Sequence, residues 1–262
     1  MEAQKVILTK QDSIAYITLN DPENRNALSA ATADTLTGLL DECDRDPEVR
    51  VVVLRGEGPA FSAGGNVKSM LERLDAGTAD YRPGTKKLGT AFIKLRTIRK
   101  PVIAAIHGAA AGGGLSLALG CDFRIAAEDT KFVFAFVHIG LIPDVGGPLS
   151  LVRILGAAKA TELLMTGKLF TAQEAHEWGL VNDVVAAGEL AAATLKLATK
   201  LASGPTQAYG CIKAMINHVA FNDLDQEIER EAEYQVLCSK THDHREGVSA
   251  FVKKRKPQFT GL

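Results

Sequence analysis

An α/β fold with parallel strands and a helical C-terminal part is what this 262-residue chain predicts. Three observations carry that expectation. Over residues 1–140, short runs of β-branched and aliphatic residues alternate with segments of helical periodicity. Two of those runs lead into glycine clusters, Gly64-Gly65 after RVVVLRG and Gly112-Gly113-Gly114 after PVIAAIHG. From Gly146 onward the pattern is almost wholly helical, with segments stopping at Gly or Pro.

Taken in order, KVILTK and SIAYITL read as two strands joined by a polar turn at Gln11-Asp12. Ser29 is placed to cap a helix over residues 29–46 that carries Leu36, Leu39, Leu40 and Cys43 on one face. RVVVLRG is a buried strand, followed by a polar helix over 67–75, a loop holding Pro83-Gly84, and a helix over about 86–98. PVIAAIHG is a second buried strand, GGGLSLALG a short helix, and CDFRIAAE and KFVFAF further strands. Beyond them GGPLSLVRILG, AKATELLMTG, TAQEAHEWG and four longer segments predict helices, with VNDVV the one strand candidate among them. The chain divides on this reading into a β-rich core, 1–204, and a helical part, 205–262, with the boundary near Gly204-Pro205.

Composition narrows the function. With 46% hydrophobic and 23% charged residues the chain can bury a sizeable core. Thirty basic residues against thirty-one acidic ones give no broad field for nucleic acid or an anionic membrane. The basic run Lys253-Lys254-Arg255-Lys256 reads first as a solvated helix end. Cys43, Cys121, Cys211 and Cys238 show no framework or zinc spacing, and the longest apolar run, Val102 to Ile106, is far too short to span a bilayer. MEAQKVILTK lacks the pattern of a leader, so the expectation is a cytoplasmic protein in a reducing compartment. His242 and His244 stand close together, but on a charged segment they are expected to face solvent, and no metal site is expected.

Glycines between a strand and a helix leave backbone N–H groups unpaired, where an anion or a developing oxyanion can be held. For either cluster alone, a turn or close strand-helix packing is the better explanation of the glycines. There is no GxxxxGK[ST] and no dinucleotide GxGxxG in context, and Ser116 in GGLSLA lacks the closing glycine of a nucleophile elbow. Asp144, between Pro143 and Val145-Gly146-Gly147, is either the cap of the following helix or a carboxylate facing a pocket.

Five stretches standing in order, Arg25-Asn26-Ala27-Leu28, FSAGGNVKSM, KPVIAAIHGAAAGGGLSLALGCDFRIA, IGLIPDVGG and TAQEAHEWGLVNDVV, resemble the crotonase, or enoyl-CoA hydratase/isomerase, superfamily over nearly the whole chain. The resemblance implies a ββα spiral core with a helical C-terminal part, an acyl-CoA thioester substrate, no separate cofactor, and assembly into homotrimers or hexamers. It implies that the N–H groups of Gly65 and Gly113 hold the thioester oxygen. It places Arg25, Ala27, Leu28, Ala63 and Lys68 along the CoA groove, and implies Gly64, Asn66, Gly112, Ser116 and Phe136 as further substrate-binding positions. Two-glutamate hydratases of the family carry acids where this chain has Ser116 and Phe136, so the resemblance points to a single-aspartate isomerase with Asp144 as base, of the type that acts on 3-enoyl-CoA or on ring-derived phenylacetyl-CoA intermediates. Hydration or hydrolysis within the same family, and a non-catalytic acyl-CoA or RNA-binding homologue, are the competing readings. Asp122 occurs across members of different activity and is expected to be structural, His138 has no assigned role, and Lys253 and Lys254 either reach CoA phosphates or are solvated.

Overall fold

The computed structural model describes residues 4–262. Met1 to Ala3, on which the leader expectation partly rests, lie outside it. Strands β1 (Val6–Gln11) and β2 (Ile14–Leu19) form an antiparallel hairpin. Its turn is Asp12-Ser13, one residue later than the sequence predicts, with φ of 52° and 63° at the two positions, the mirror-image turn that matches strand twist. Helix α1 (Ala30–Arg45) begins in a capping box: Ser29 Oγ accepts from Thr32 N and Thr32 Oγ1 from Ser29 N, both at 3.1 Å.

The chain continues through β3 (Val51–Gly56), α2 (Val67–Asp75), α3 (Arg82–Thr97), β4 (Val102–Ile106), β5 (Ala109–Ala111), α4 (Gly113–Leu119), β6 (Phe123–Ala127) and β7 (Lys131–Val133). It then runs through α5 (Gly147–Thr166), β8 (Phe170–Thr171), α6 (Ala172–Glu177), β9 (Asp183–Val185), α7 (Leu190–Ala202), α8 (Thr206–Ala220), α9 (Leu224–Ser239) and α10 (His242–Val252). One sheet has the order β1-β2-β3-β4-β6-β9, parallel from β2 onward. A small second sheet has the order β5-β7-β8.

Burial of both sheet faces follows from alternation along its central strands. Val51 and Val53 point with Ile103, Ala105 and Ile125 into a layer closed by Leu190, Ala198 and Leu201 of α7. Val52 and Leu54 point the other way, with Ala104 and Ile106, into the main core under α1, α3 and α4. It is on this second side that the glycine clusters and Asp144 lie.

Five elements differ from the sequence expectation. Pro83-Gly84 is not a loop: α3 starts at Arg82 with Pro83 in its first turn, where a missing N–H does no harm. KFVFAF is a strand only through Val133, after which Ala135–Ile139 coils into a 3₁₀ turn carrying Phe136. GGPLSLVRILG and AKATELLMTG run together as α5, bent where Gly156 takes φ 76° and ψ 164°. Strands β5 and β8 were not expected, and β8 adds a second strand after Gly146. His244 corrects another expectation: it is wholly buried, with Tyr81 Oη 2.7 Å from Nε2 and Ile139 O 2.7 Å from Nδ1.

Candidate active site

The two glycine clusters meet. Ser62 N donates to Ala109 O at 3.2 Å and Ala111 N to Ser62 O at 2.9 Å, so the loop after β3 runs alongside β5. Gly64 has φ 78°, and a Cβ on it would stand 2.7 Å from Ala111 O and 3.1 Å from Gly113 N. Conformation and close approach both demand glycine there. Gly113 is the first residue of α4, whose opening N–H groups have no intrahelical acceptor. Neither Gly65 nor Gly113 donates its N–H to another described residue.

Asn26 secures the neighbouring stretch. Buried, with φ 55°, it accepts from Asp21 N at 2.8 Å and donates to Glu57 O at 2.9 Å and Ala60 O at 2.8 Å, while Ser62 Oγ donates to Asn26 O at 2.8 Å. Ala63 N reaches Arg25 O at 2.9 Å and Leu28 N reaches Gly64 O at 2.8 Å. Leu28 is thereby buried against Gly113, its Cδ1 3.7 Å from where a Cβ there would lie. Ala27 and Ala63 are half-buried, and Arg25 and Lys68 are exposed beside them. Asn66 is occupied as the cap of α2, its Oδ1 accepting from Ser69 N at 3.1 Å. Phe136 stands 3.8 Å from the position of a Cβ on Gly112.

Asp144 reaches the same place from the loop before α5. Its Oδ1 is 3.8 Å from the Cβ position on Gly113, with Val145 Cγ2 at 3.5 Å from that point. The carboxyl is 7% exposed, and Oδ2 accepts from Gln235 Nε2 at 2.8 Å. Burial pushes its pKa up to about 6, against the opposing effect of the Gln235 hydrogen bond and of the nearby Thr85 hydroxyl. It does not cap α5: the helix begins behind Gly146 with no side-chain cap, and the N–H of Gly146 goes to Glu231 Oε2 at 3.1 Å.

Glu231 and Gln235 were not foreseen. They stand four apart on α9 in EIEREAEYQVL, which reads in sequence as an ordinary charged amphipathic helix. Both are buried, and Glu231 is pushed up to about 9 by burial, so it carries its proton at neutral pH. A carboxyl with elevated pKa, set among apolar side chains and opposite free N–H donors, can move a proton beside a carbonyl oxygen whose charge the donors hold.

The remaining sequence candidates fall outside this constellation. Ser116 is fully buried, its Oγ unpartnered and packed against Gly147. Asp122 binds Lys213 Nζ at 2.7 Å, Arg96 at 3.6 Å and Val102 N at 2.9 Å, joining α3, α8 and β4. His138, Lys253 and Lys254 are exposed. Among the described residues no group of three His, Cys, Asp or Glu side chains is placed to hold a metal, and no helix is long and apolar enough to cross a membrane.

Comparison with known proteins gives consistent results. The family model described as enoyl-CoA hydratase/isomerase matches residues 9–262. The chain is 39% identical over 252 residues to 1,2-epoxyphenylacetyl-CoA isomerase of Escherichia coli, covering 96% of each chain. It is 34% identical over 262 residues to a probable enoyl-CoA hydratase of Mycobacterium bovis, covering 99% of each. The crystal structure of an enoyl-CoA hydratase from Mycobacterium avium subsp. paratuberculosis superposes with a TM-score of 0.88 at 31% identity, over 98% of this chain and 99% of that one.

Proposed function

The chain belongs to the enoyl-CoA hydratase/isomerase family, whose fold it shares, and from that premise we propose that it isomerises 3-enoyl-CoA thioesters to 2-enoyl-CoA. The observation that carries this reading is the single ionisable carboxyl of Asp144 facing Gly113, with Phe136 and Ser116 where the two-glutamate hydratases have acids. Of the two buried carboxyls described here, Asp144, with a pKa pushed up to about 6, is the one suited to exchange a proton near neutral pH, since burial keeps Glu231 protonated. The 39% identical relative is itself named an isomerase.

In this mechanism the CoA moiety lies along Arg25, Ala27, Leu28, Ala63 and Lys68, and the thioester oxygen receives the N–H groups of Gly65 and Gly113. Asp144 takes a proton from C2, the C–H electron pair passes into the thioester, and the dienolate charge settles on the oxygen. Each N–H donor aimed at that charge is worth about 2.7 to 4 kcal/mol in the transition state. The carboxyl group returns the proton to C4 and the double bond comes to rest between C2 and C3. The route needs no cofactor. Family resemblance further suggests that the chain works as a homotrimer or hexamer.

The test is turnover of 2-enoyl-, 3-enoyl- and 3-hydroxyacyl-CoA in labelled water. Conversion of 3-enoyl- to 2-enoyl-CoA without oxygen label, with the C4 hydrogen drawn from C2 or from solvent by exchange, supports isomerisation. Oxygen label at C3 would show hydration instead, and Asp144→Ala protein isomerising at the parental rate would sink the assignment.

A further inference from the structure

Asp144 offers its two oxygens to different neighbours. Oδ2 is turned into the protein and accepts from Gln235 Nε2 at 2.8 Å, whereas Oδ1 is the oxygen that faces Gly113. Gln235 is 2% exposed, and its own Oε1 has no hydrogen-bond partner. The amide orientation is dictated by chemistry, because an ionised carboxylate can only accept. A buried methionine or leucine would fill the same space and leave no orphaned oxygen, so packing alone does not account for an amide here.

We propose that Gln235 is a positioning residue: by holding Oδ2 it fixes the plane of the Asp144 carboxyl and makes Oδ1 the one oxygen that takes the proton from C2 and delivers it to C4. This rests on the isomerase reading above. On the first leg the C2–H bond breaks and an Oδ1–H bond forms, with the electron pair moving onto the thioester oxygen. On the second leg the Oδ1–H bond breaks, a C4–H bond forms, and the pair returns from the oxygen to leave C2=C3. A carboxyl free to turn would carry the proton round to the Gln235 side, out of reach of C4. Held by Gln235, it keeps the proton on one face of the substrate.

The surroundings make the role measurable. The groups facing Asp144 are Thr85 from α3, Gln235 and Glu231 from α9, and the backbone of Gly113. Glu231 is the titratable one among them, and it remains protonated while Asp144 titrates. No basic side chain contributes to the Asp144 shift. The Gln235 N–H is therefore the chief group favouring the ionised form, and its removal must move the Asp144 midpoint upward.

The experiment compares full-length wild-type protein with Gln235→Met and Gln235→Asn. Carbon-13 NMR of the aspartate carboxyls, with Asp144 assigned by its loss in Asp144→Asn, gives the midpoint without substrate. The acid limb of kcat/KM on 3-hexenoyl-CoA gives it with substrate, and deuterium at C2 reports how much label is carried to C4. The expected result is a midpoint raised by about one to two pH units, kcat lowered about tenfold, and less C2 label delivered to C4. In the wild type, the Gln235 side-chain amide resonance should titrate together with Asp144 and stop doing so in Asp144→Asn, a measurement that needs no folded Gln235 variant. A folded variant with an unmoved midpoint and undiminished label transfer overturns the proposal, as does an amide resonance blind to Asp144. If Asp144→Asn retained isomerisation, the assignment of Asp144 as the base of the reaction proposed above would fall while the titration results stood. If Asp144→Asn is inactive but the midpoint does not move, this proposal alone fails.

Discussion

Asp144 opposes the stability of the fold it serves. With a pKa of about 6 against an ordinary 3.8, the folded protein holds this proton more tightly than the unfolded chain does. Its contribution to stability is therefore full below pH 3.8 and is lost as pH rises through 6. Asp144→Asn should melt higher than the wild type above pH 6, by about 1 to 3 kcal/mol, with the advantage vanishing toward pH 4. Thermal melts across that range check it, and activity in the same protein should fall about 10²- to 10⁴-fold. Wild-type kcat/KM should decline below a midpoint near pH 6, where the base becomes protonated. Gly113 offers a complementary trial. A Cβ there meets only ordinary contacts, at 3.5 Å from Val145 and farther from Leu28 and Asp144, so Gly113→Ala should fold normally. The methyl group would occupy the gap between the N–H donor and the base, and turnover should drop at least about a hundredfold, read as kcat with the melting temperature unchanged. These residues were legible because glycines after a strand and an acid after proline stand out in any sequence. Gln235 and Glu231 were not, since amides and acids on an amphipathic helix look alike whether they face water or a buried carboxyl 91 positions away.

At the scale of elements, the positioning of Asp144 depends on how α9 lies against α3. Gly89 of α3 and Ile228 of α9 are so close that a Cβ on Gly89 would overlap Ile228 Cγ2, a branched atom with little room to turn. Gly89→Ala should push α9 outward and, with it, Gln235 and Glu231. The expected outcome is a loss of about 1 to 3 kcal/mol in stability and a lower kcat with little change in KM. Ile228→Ala in the same chain removes the overlapped atoms and should recover part of both, a coupling that a double-mutant cycle measures. Helix α3 itself was half legible. Its periodicity was plain, but Pro83-Gly84 reads as loop until one sees the proline in the first turn. The turn of Phe136 was hidden for another reason: KFVFAF alternates as a strand should, and tertiary packing of Ile139 against α10 ends the strand early.

Across the whole molecule, the parallel order of β2, β3, β4, β6 and β9 follows from strands separated by helices, which the hydrophobic pattern shows directly. Of the small sheet only β7 was legible, as the start of KFVFAF, because β5 and β8, at three and two residues, have too little periodicity to detect. The most informative global feature is α8, which presents its apolar side outward. Ile212, Met215, Ile216 and Val219, spaced as one helical stripe, are 52%, 70%, 51% and 80% exposed. Its inner side is polar, with Lys213 bound to Asp122 and Asn217 bound to Arg96. A helix so arranged loses apolar burial in a monomer, and a second copy of this chain is the occupant that the family resemblance leads one to expect. Sedimentation of the 27.9 kDa chain should give a multiple of that mass. Met215→Glu with Val219→Glu should break the assembly while leaving the Lys213 and Asn217 contacts intact, because the substituted side chains lie on the opposite side of α8. A wild-type monomer at micromolar concentration would rule out self-association through this stripe, and an unchanged oligomer in the double variant would move the interface elsewhere on the surface.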